Sequence, residues 1–115
     1  MITLLKSKIH RATVTDANID YEGSITISRD LVEQAYMYPY EKVLVVDVTN
    51  GARFETYVIL SEEPGTICIN GAAARLVSKG DIVIIMSFCN LDEPIKKEYH
   101  PRVIYVDRNN KIFEV

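Results

Sequence analysis

The residues best suited to chemistry lie in four short motifs, and the central one is built on Gly23-Ser24. A serine hydroxyl is a potential nucleophile, although Gly-Ser by itself is a common turn dipeptide. Arg53 is able to hold a carboxylate through the bidentate fork of its guanidinium group. Taken singly, Lys8 and Arg53 are typical of solvated surface charges, and His10 is typical of a surface or capping residue.

The order and spacing of the four motifs carry more information than any one of them. The motifs are Lys8-Ile9-His10-Arg11, Tyr21-Glu22-Gly23-Ser24, Asn50-Gly51-Ala52-Arg53-Phe54-Glu55-Thr56-Tyr57 and Asn70-Gly71-Ala72-Ala73-Ala74. Together they closely resemble the aspartate 1-decarboxylase family of small, self-processing, pyruvoyl-dependent enzymes, which make β-alanine for pantothenate and coenzyme A. The resemblance extends from about residue 6 to residue 88, and the tail after Phe88 carries little of it.

The resemblance implies that the chain cuts itself between Gly23 and Ser24 into segments 1–23 and 24–115. Ser24 then becomes a covalent pyruvoyl group at the start of the second segment, and no metal is needed. Attack by a serine hydroxyl on the preceding carbonyl demands an unusual backbone geometry, which glycine permits at little steric cost. In the family, the threonine that matches Thr56 is placed to donate a hydrogen bond to the glycine carbonyl.

The resemblance also assigns roles in the decarboxylation of L-aspartate. The substrate amine forms a Schiff base with the pyruvoyl group, which acts as an electron sink for loss of the α-carboxylate. Arg53 binds a substrate carboxylate, Lys8 and His10 line the same anionic pocket as further cations, and Tyr57 donates a proton to the new carbanion. The remaining substrate-binding positions implied by the family are Tyr21, Thr56, Asn70, Gly71, Ala72 and Ala73.

Composition excludes several other classes of function. The chain has 115 residues and a net charge of −3, which argues against a general nucleic-acid or anionic-membrane binder. Two cysteines and two histidines, all far apart in sequence, make a zinc site unexpected. We find no signal-peptide core and no apolar run of membrane-spanning length, so we expect a cytoplasmic protein.

The elements that must position these residues are predicted to be mostly strands. We expect extended segments at 9–14 and at 19–27, a hairpin of strands 43–48 and 53–60 around Asn50-Gly51, and further strands at 66–69, 82–88, 102–107 and 111–115. A helix capped by Ser28, with Leu31, Val32, Ala35 and Tyr36 on one face, should end by Tyr38 because Pro39 follows. One or two helical turns are expected over 72–77.

This pattern indicates a mainly β, single-domain barrel with closed edges over residues 1–115. The resemblance specifies a double-psi β-barrel with short helices, assembled as a homotetramer with active sites between subunits. Strand alternation places Arg53 and Tyr57 on the face opposite Thr56. These residues can serve one centre only through a bulge, a twist or a subunit interface, and we expect the interface.

An alternative of a different class is a non-catalytic double-psi barrel that binds a partner and never processes Ser24. The mass of the denatured chain separates the two hypotheses, because only the enzyme is cut. A possible accessory maturation factor is compatible with the enzyme hypothesis.

Overall fold

The structure, a computed structural model, describes residues 1–115 and contains nine strands, one α-helix and one 3-10 helix. The strands are β1 (Ile2–Thr13), β2 (Asp16–Asn18), β3 (Ser24–Ser28), β4 (Lys42–Asp47), β5 (Arg53–Ser61), β6 (Ile67–Asn70), β7 (Ile82–Leu91), β8 (Arg102–Val106) and β9 (Ile112–Glu114). The helix α1 spans Arg29–Gln34, and the 3-10 helix spans Gly71–Leu76. No helix is long and apolar enough to cross a membrane.

The sheet closes on itself because β1 and β2 form one nearly continuous stretch of chain. The strand order is β2-β6-β3-β5-β4-β7-β1-β8-β9, and only Val14 and Thr15 separate β1 from β2. Thr15 continues the pairing across this gap, since its backbone N–H donates to Ile67 O at 2.7 Å and its hydroxyl accepts from Ile67 N at 3.0 Å. The predicted mainly β, single-domain barrel is therefore confirmed.

The core lies inside this barrel and is lined by alternate residues of its strands. Ile9, Ile25, Ile69, Val45 and Ile85 are each fully buried, as the two-residue period of a strand requires. Each such aliphatic side chain contributes about 1.5–3 kcal/mol by leaving water. The opposite faces of the same strands are thus the outer surface of the barrel, where polar side chains remain available.

Two local predictions, one for the segment before β3 and one for the segment after it, were wrong. Residues 19–21 do not form a strand, because Asn18 turns the chain by accepting the Asp20 N–H at 3.0 Å on Oδ1 and the Tyr21 N–H at 3.4 Å on its carbonyl. The helix after Ser28 ends at Gln34, and Tyr36 has φ +58° and is 57% exposed. Tyr36 therefore does not share the buried face of Leu31.

The hairpin of β4 and β5 is confirmed, and its register is regular from Val46–Arg53 to Lys42–Tyr57. The absence of a register shift excludes a bulge as the way to bring Arg53, Thr56 and Tyr57 to one side. The C-terminal tail is part of the sheet, since β8 pairs in parallel with β1.

Candidate active site

The Gly23-Ser24 peptide lies where the turn after β2 enters β3. Gly23 is exposed and precedes the strand, whereas Ser24 is the first residue of β3 and is 1% exposed. Ile25 points into the core, so Ser24 faces the outer side of β3. Ser24 is therefore held within a regular strand, whereas Gly23 lies before the strand and makes no strand pairing.

The Ser24 hydroxyl makes two hydrogen bonds that fix its position. Its Oγ donates to the carbonyl of Glu22 at 2.9 Å and accepts from Asn70 Nδ2 at 3.0 Å. Asn70 is the antiparallel partner of Ser24 on β6 and is 3% exposed. A buried, doubly hydrogen-bonded hydroxyl occupies one rotamer, as an oriented nucleophile requires.

Gly71 presses its backbone directly against Gly23. A Cβ at position 71 would lie 2.6 Å from Gly23 Cα and 2.8 Å from Gly23 N, and Gly71 has φ +77°. Only glycine fits both the space and this backbone conformation without strain. The backbone of Gly71, the first residue of the 3-10 helix, thus packs directly against Gly23, the residue before Ser24.

Tyr57 and Thr56 lie on β5, the strand beside β3. In the parallel pairing of β3 and β5, Ile25 is opposite Val58. One residue further back, this register sets Tyr57 level with Ser24, one strand spacing of about 4.8 Å away. Gly23 precedes β3, so the strand pairing brings Tyr57 to Ser24 and leaves Thr56 as its neighbour on β5.

Lys8 and His10 lie on β1, far from Ser24 within the chain. His10 Nδ1 is buried without a hydrogen-bond partner, and its ring contacts Tyr105 edge to face at 5.5 Å between centroids. Burial lowers the pKa of the imidazole, and the positive charges of Lys8 and Arg11 lower it further. Both effects disfavour the positive charge that we expect of His10 from the sequence.

Arg53 begins β5 and is exposed, and it forms no ion pair within the chain. It lies four residues from Tyr57, or about 13 Å along an extended strand. Lys8 is on β1, and β7 and β4 separate that strand from β5. This separation amounts to three strand spacings, about 14 Å along the sheet.

The chain thus brings together one group of the predicted residues and leaves another apart. The group beside Gly23 and Ser24 consists of Tyr57, Asn70 and Gly71, with Thr56 next to Tyr57 on β5. Tyr21, Ala72 and Ala73 border it, since Tyr21 lies in the turn before Gly23 and the two alanines follow Gly71 in the 3-10 helix. Lys8, His10 and Arg53 are remote from it in a single chain.

Two residues that contact the site were missed by the sequence analysis. Asn70 Nδ2 also donates to Thr26 Oγ1 at 2.9 Å, and Cys68 Sγ donates to Asn70 Oδ1 at 3.2 Å. Thr26 lies two residues after Ser24 and Cys68 two residues before Asn70, so the period of a strand was the signal that could have found them. Elsewhere, no three His, Cys, Asp or Glu side chains gather as metal ligands.

The chain is similar to a family of known enzymes over nearly its whole length. The family model described as aspartate decarboxylase matches residues 1–113. An aspartate 1-decarboxylase of Thermoanaerobacter pseudethanolicus is 59% identical over 109 residues, which cover 94% of this chain and 93% of the relative. Another, from Acetivibrio thermocellus, is 58% identical over 115 residues, covering 99% and 91%. One from Clostridium botulinum is 57% identical over 112 residues, covering 96% and 88%.

These matches extend the resemblance beyond residue 88 to nearly the whole chain, so the tail that carried little of it belongs to the same fold. The family is built on the double-psi β-barrel, in agreement with the closed sheet and its parallel and antiparallel strand pairs. The family model and the relatives together show that this chain belongs to the aspartate decarboxylase family.

Proposed function

We propose that the protein decarboxylates L-aspartate to β-alanine and CO₂, for pantothenate and coenzyme A biosynthesis, after the chain has cut itself between Gly23 and Ser24. The observation that carries this proposal is the buried Ser24 hydroxyl, which Asn70 holds next to the exposed Gly23, against whose backbone Gly71 packs. Membership of the aspartate decarboxylase family supports the same reaction.

The self-cleavage begins with the Ser24 Oγ, which attacks the Gly23 carbonyl carbon. The new C–O bond replaces the Gly23–Ser24 C–N bond, and the hydroxyl proton ends on the freed amine. Thr56 donates a hydrogen bond to the oxygen that becomes negative in this step. Gly23 permits the required backbone rotation because it carries no side chain.

The ester then breaks by β-elimination. The Ser24 Cα loses a proton, the Cβ–Oγ bond breaks, and the Gly23 carboxylate leaves with the bonding electrons. Addition of one water to the resulting dehydroalanine releases ammonia and leaves a pyruvoyl group. The products are the segments 1–23 and 24–115.

The residues present fit such a group at position 24. Asn70 offers a buried N–H donor there, and the neighbouring Gly71 carries no side chain that would crowd it. When present, the pyruvoyl group supplies an electron sink for the loss of a carboxylate. Tyr57, on the same face of the sheet as Ser24, donates a proton to the substrate carbon that loses CO₂.

The dianionic substrate is bound by Arg53 and Lys8, the cations that lie away from Ser24 within one chain. Arg53 holds one carboxylate through its guanidinium fork and Lys8 the other, while the neutral His10 ring contributes a hydrogen bond. Because strand spacing separates these side chains from Ser24 in one chain, a neighbouring subunit must supply part of the pocket. We therefore propose a homotetramer with active sites at its interfaces.

Mass spectrometry of the denatured protein tests the proposal. Purified protein incubated at moderate heat should convert from one 13.1 kDa species into two fragments, and the cut protein should form β-alanine from aspartate. Ser24→Ala should fold, stay whole and be inactive. A wild-type chain that stays whole, both alone and with bacterial cell extract to supply an accessory maturation factor, contradicts the proposal and favours the binding-module alternative.

The cytoplasm is the proposed compartment for this reaction. Cys68 and Cys89 are both free thiols, and unpaired thiols persist in reducing compartments. Labelling of the protein in fractionated cells tests this assignment.

A further inference from the structure

The Asn70 side chain makes three hydrogen bonds next to Ser24. One amide hydrogen goes to Ser24 Oγ at 3.0 Å, the other to Thr26 Oγ1 at 2.9 Å, and Oδ1 accepts from Cys68 Sγ at 3.2 Å. The backbone register explains the arrangement, since Ser24 pairs with Asn70 and Thr26 with Cys68 across β3 and β6. The side chains on one face of β3 and β6 thus form one hydrogen-bonded network centred on Asn70, and the other members are Ser24, Thr26 and Cys68.

This network allows only one orientation of the Asn70 amide. The Ser24 hydroxyl gives its single proton to the Glu22 carbonyl at 2.9 Å, so its Oγ must accept from Asn70. An amide flipped by 180° would set its oxygen against a Ser24 lone pair and its N–H groups against the Cys68 thiol. Burial and the negative charge of Asp16 raise the pKa of Cys68, so the thiol keeps its proton and remains a donor at neutral pH.

We propose that Cys68 and Thr26 are positioning residues for the self-cleavage, because they lock the Asn70 amide with its N–H groups toward Ser24 Oγ. Neither residue touches the reacting carbonyl, and each acts through Asn70. The inference rests on the proposed function, since it assigns a role in the first step of that cleavage.

The direction of the amide matters because Ser24 Oγ loses its proton when the ester forms. A hydroxyl oxygen donates and accepts, whereas an ester oxygen only accepts. An N–H donor from Asn70 stabilises the oxygen in both states and also the Gly23 carboxylate that later leaves. An Asn70 oxygen in the same place would repel the ester oxygen, so the amide orientation favours the forward reaction.

Replacement of Cys68 tests this role. Cys68→Ala removes the donor to Asn70 Oδ1 and should slow cleavage about threefold to tenfold, the effect of one hydrogen bond. Cys68→Ser keeps a donor and should cleave within about twofold of wild type. Cys89→Ala is the matched control, because Cys89 is the other free thiol and lies on β7, away from Ser24.

The measurement is a time course of intact mass on rapidly purified precursor, with circular dichroism to check the fold. Brief hydroxylamine treatment, which cleaves esters, should reveal a smaller ester fraction in Cys68→Ala than in wild type. Thr26→Val removes the partner of the second amide hydrogen and should also slow cleavage, which keeps the test decisive if Cys68→Ala does not fold.

The outcomes separate the two proposals. Cleavage of Cys68→Ala at the wild-type rate, or Cys68→Ser as slow as Cys68→Ala, overturns the positioning role while the proposed function stands. A wild-type chain that never cleaves overturns both. If the Cys68 variants do not fold, wild-type cleavage in Thr26→Val overturns the positioning role.

Discussion

Replacement of Gly71 by alanine tests whether close backbone packing against Gly23 is needed for the self-cleavage. The added Cβ would lie 2.6 Å from Gly23 Cα, about 0.8 Å short of the 3.4 Å at which ordinary contacts begin. Both nearest atoms belong to backbone, so Gly23 itself has to move. Forced overpacking of this kind costs about 1–3 kcal/mol, and the φ of +77° adds about 1–2 kcal/mol for a residue other than glycine.

Gly71→Ala should slow the self-cleavage more strongly than it destabilises the fold. A displacement of about 1 Å between reacting atoms lowers a rate by about a hundredfold, and here the displaced residue carries the carbonyl that Ser24 attacks. We therefore expect Gly71→Ala to remain folded, to melt at a lower temperature, and to cleave about a hundred times more slowly than wild type. Intact mass over time gives the rate, and scanning calorimetry gives the melting temperature.

Gly51→Ala is the matched control for this prediction. Gly51 has φ +78°, nearly the same as Gly71, but nothing lies within 4 Å of a Cβ at that position. It should lose about the same 1–2 kcal/mol of backbone energy and cleave at the wild-type rate. Equal cleavage rates in Gly71→Ala and wild type, or equal slowing in Gly71→Ala and Gly51→Ala, would show that the self-cleavage does not depend on the close packing of Gly71 against Gly23.

Three further predictions concern stability and substrate binding. Burial is the main cause that raises the pKa of Asp47, and contact with the Asp81 carboxyl raises it further. The protonated Asp47 side chain therefore contributes its full stability below the ordinary carboxyl pKa of about 4. This contribution is lost as the pH rises through the raised pKa. Asp47→Asn should therefore melt higher than wild type at pH 7, with the advantage shrinking toward pH 4 in a melting series; a pH-independent difference would contradict this. Asn110→Ala should lower the free energy of unfolding by about 2–4 kcal/mol, because the Asn110 side chain makes three hydrogen bonds to backbone. Urea titration measures this loss. The control is Asn109→Ala, at an exposed neighbour, which should leave the free energy of unfolding nearly unchanged. Arg53→Ala should cleave normally but lose about tenfold to a hundredfold in kcat/KM for aspartate, since a hydrogen bond to a charged group is worth about 1.5–3 kcal/mol. Unchanged steady-state kinetics would remove Arg53 from the site.

Much of the strand content was predictable because it depends on local pattern. Alternating and β-branched residues, with Asn50-Gly51 between them, specified the β4–β5 hairpin before any tertiary contact was known. The prediction failed at residues 19–21, where apolar alternation continued but Asn18 bends the chain through its own side chain. A local hydrogen bond overrode the periodic signal there.

The chemical groups that this protein carries follow from its residue types and their order, namely a serine after a glycine, a threonine beside a tyrosine, and the cations Lys8 and Arg53. Which of these groups meet depends on the fold. The parallel pairing of β3 with β5 sets Tyr57 level with Ser24, and the antiparallel pairing with β6 brings Asn70 to the hydroxyl. Register and strand order join residues that are distant in the chain, so no local pattern specifies them. The same strand order keeps Lys8 and Arg53 three strand spacings apart, and for this reason we propose that a second subunit completes the pocket.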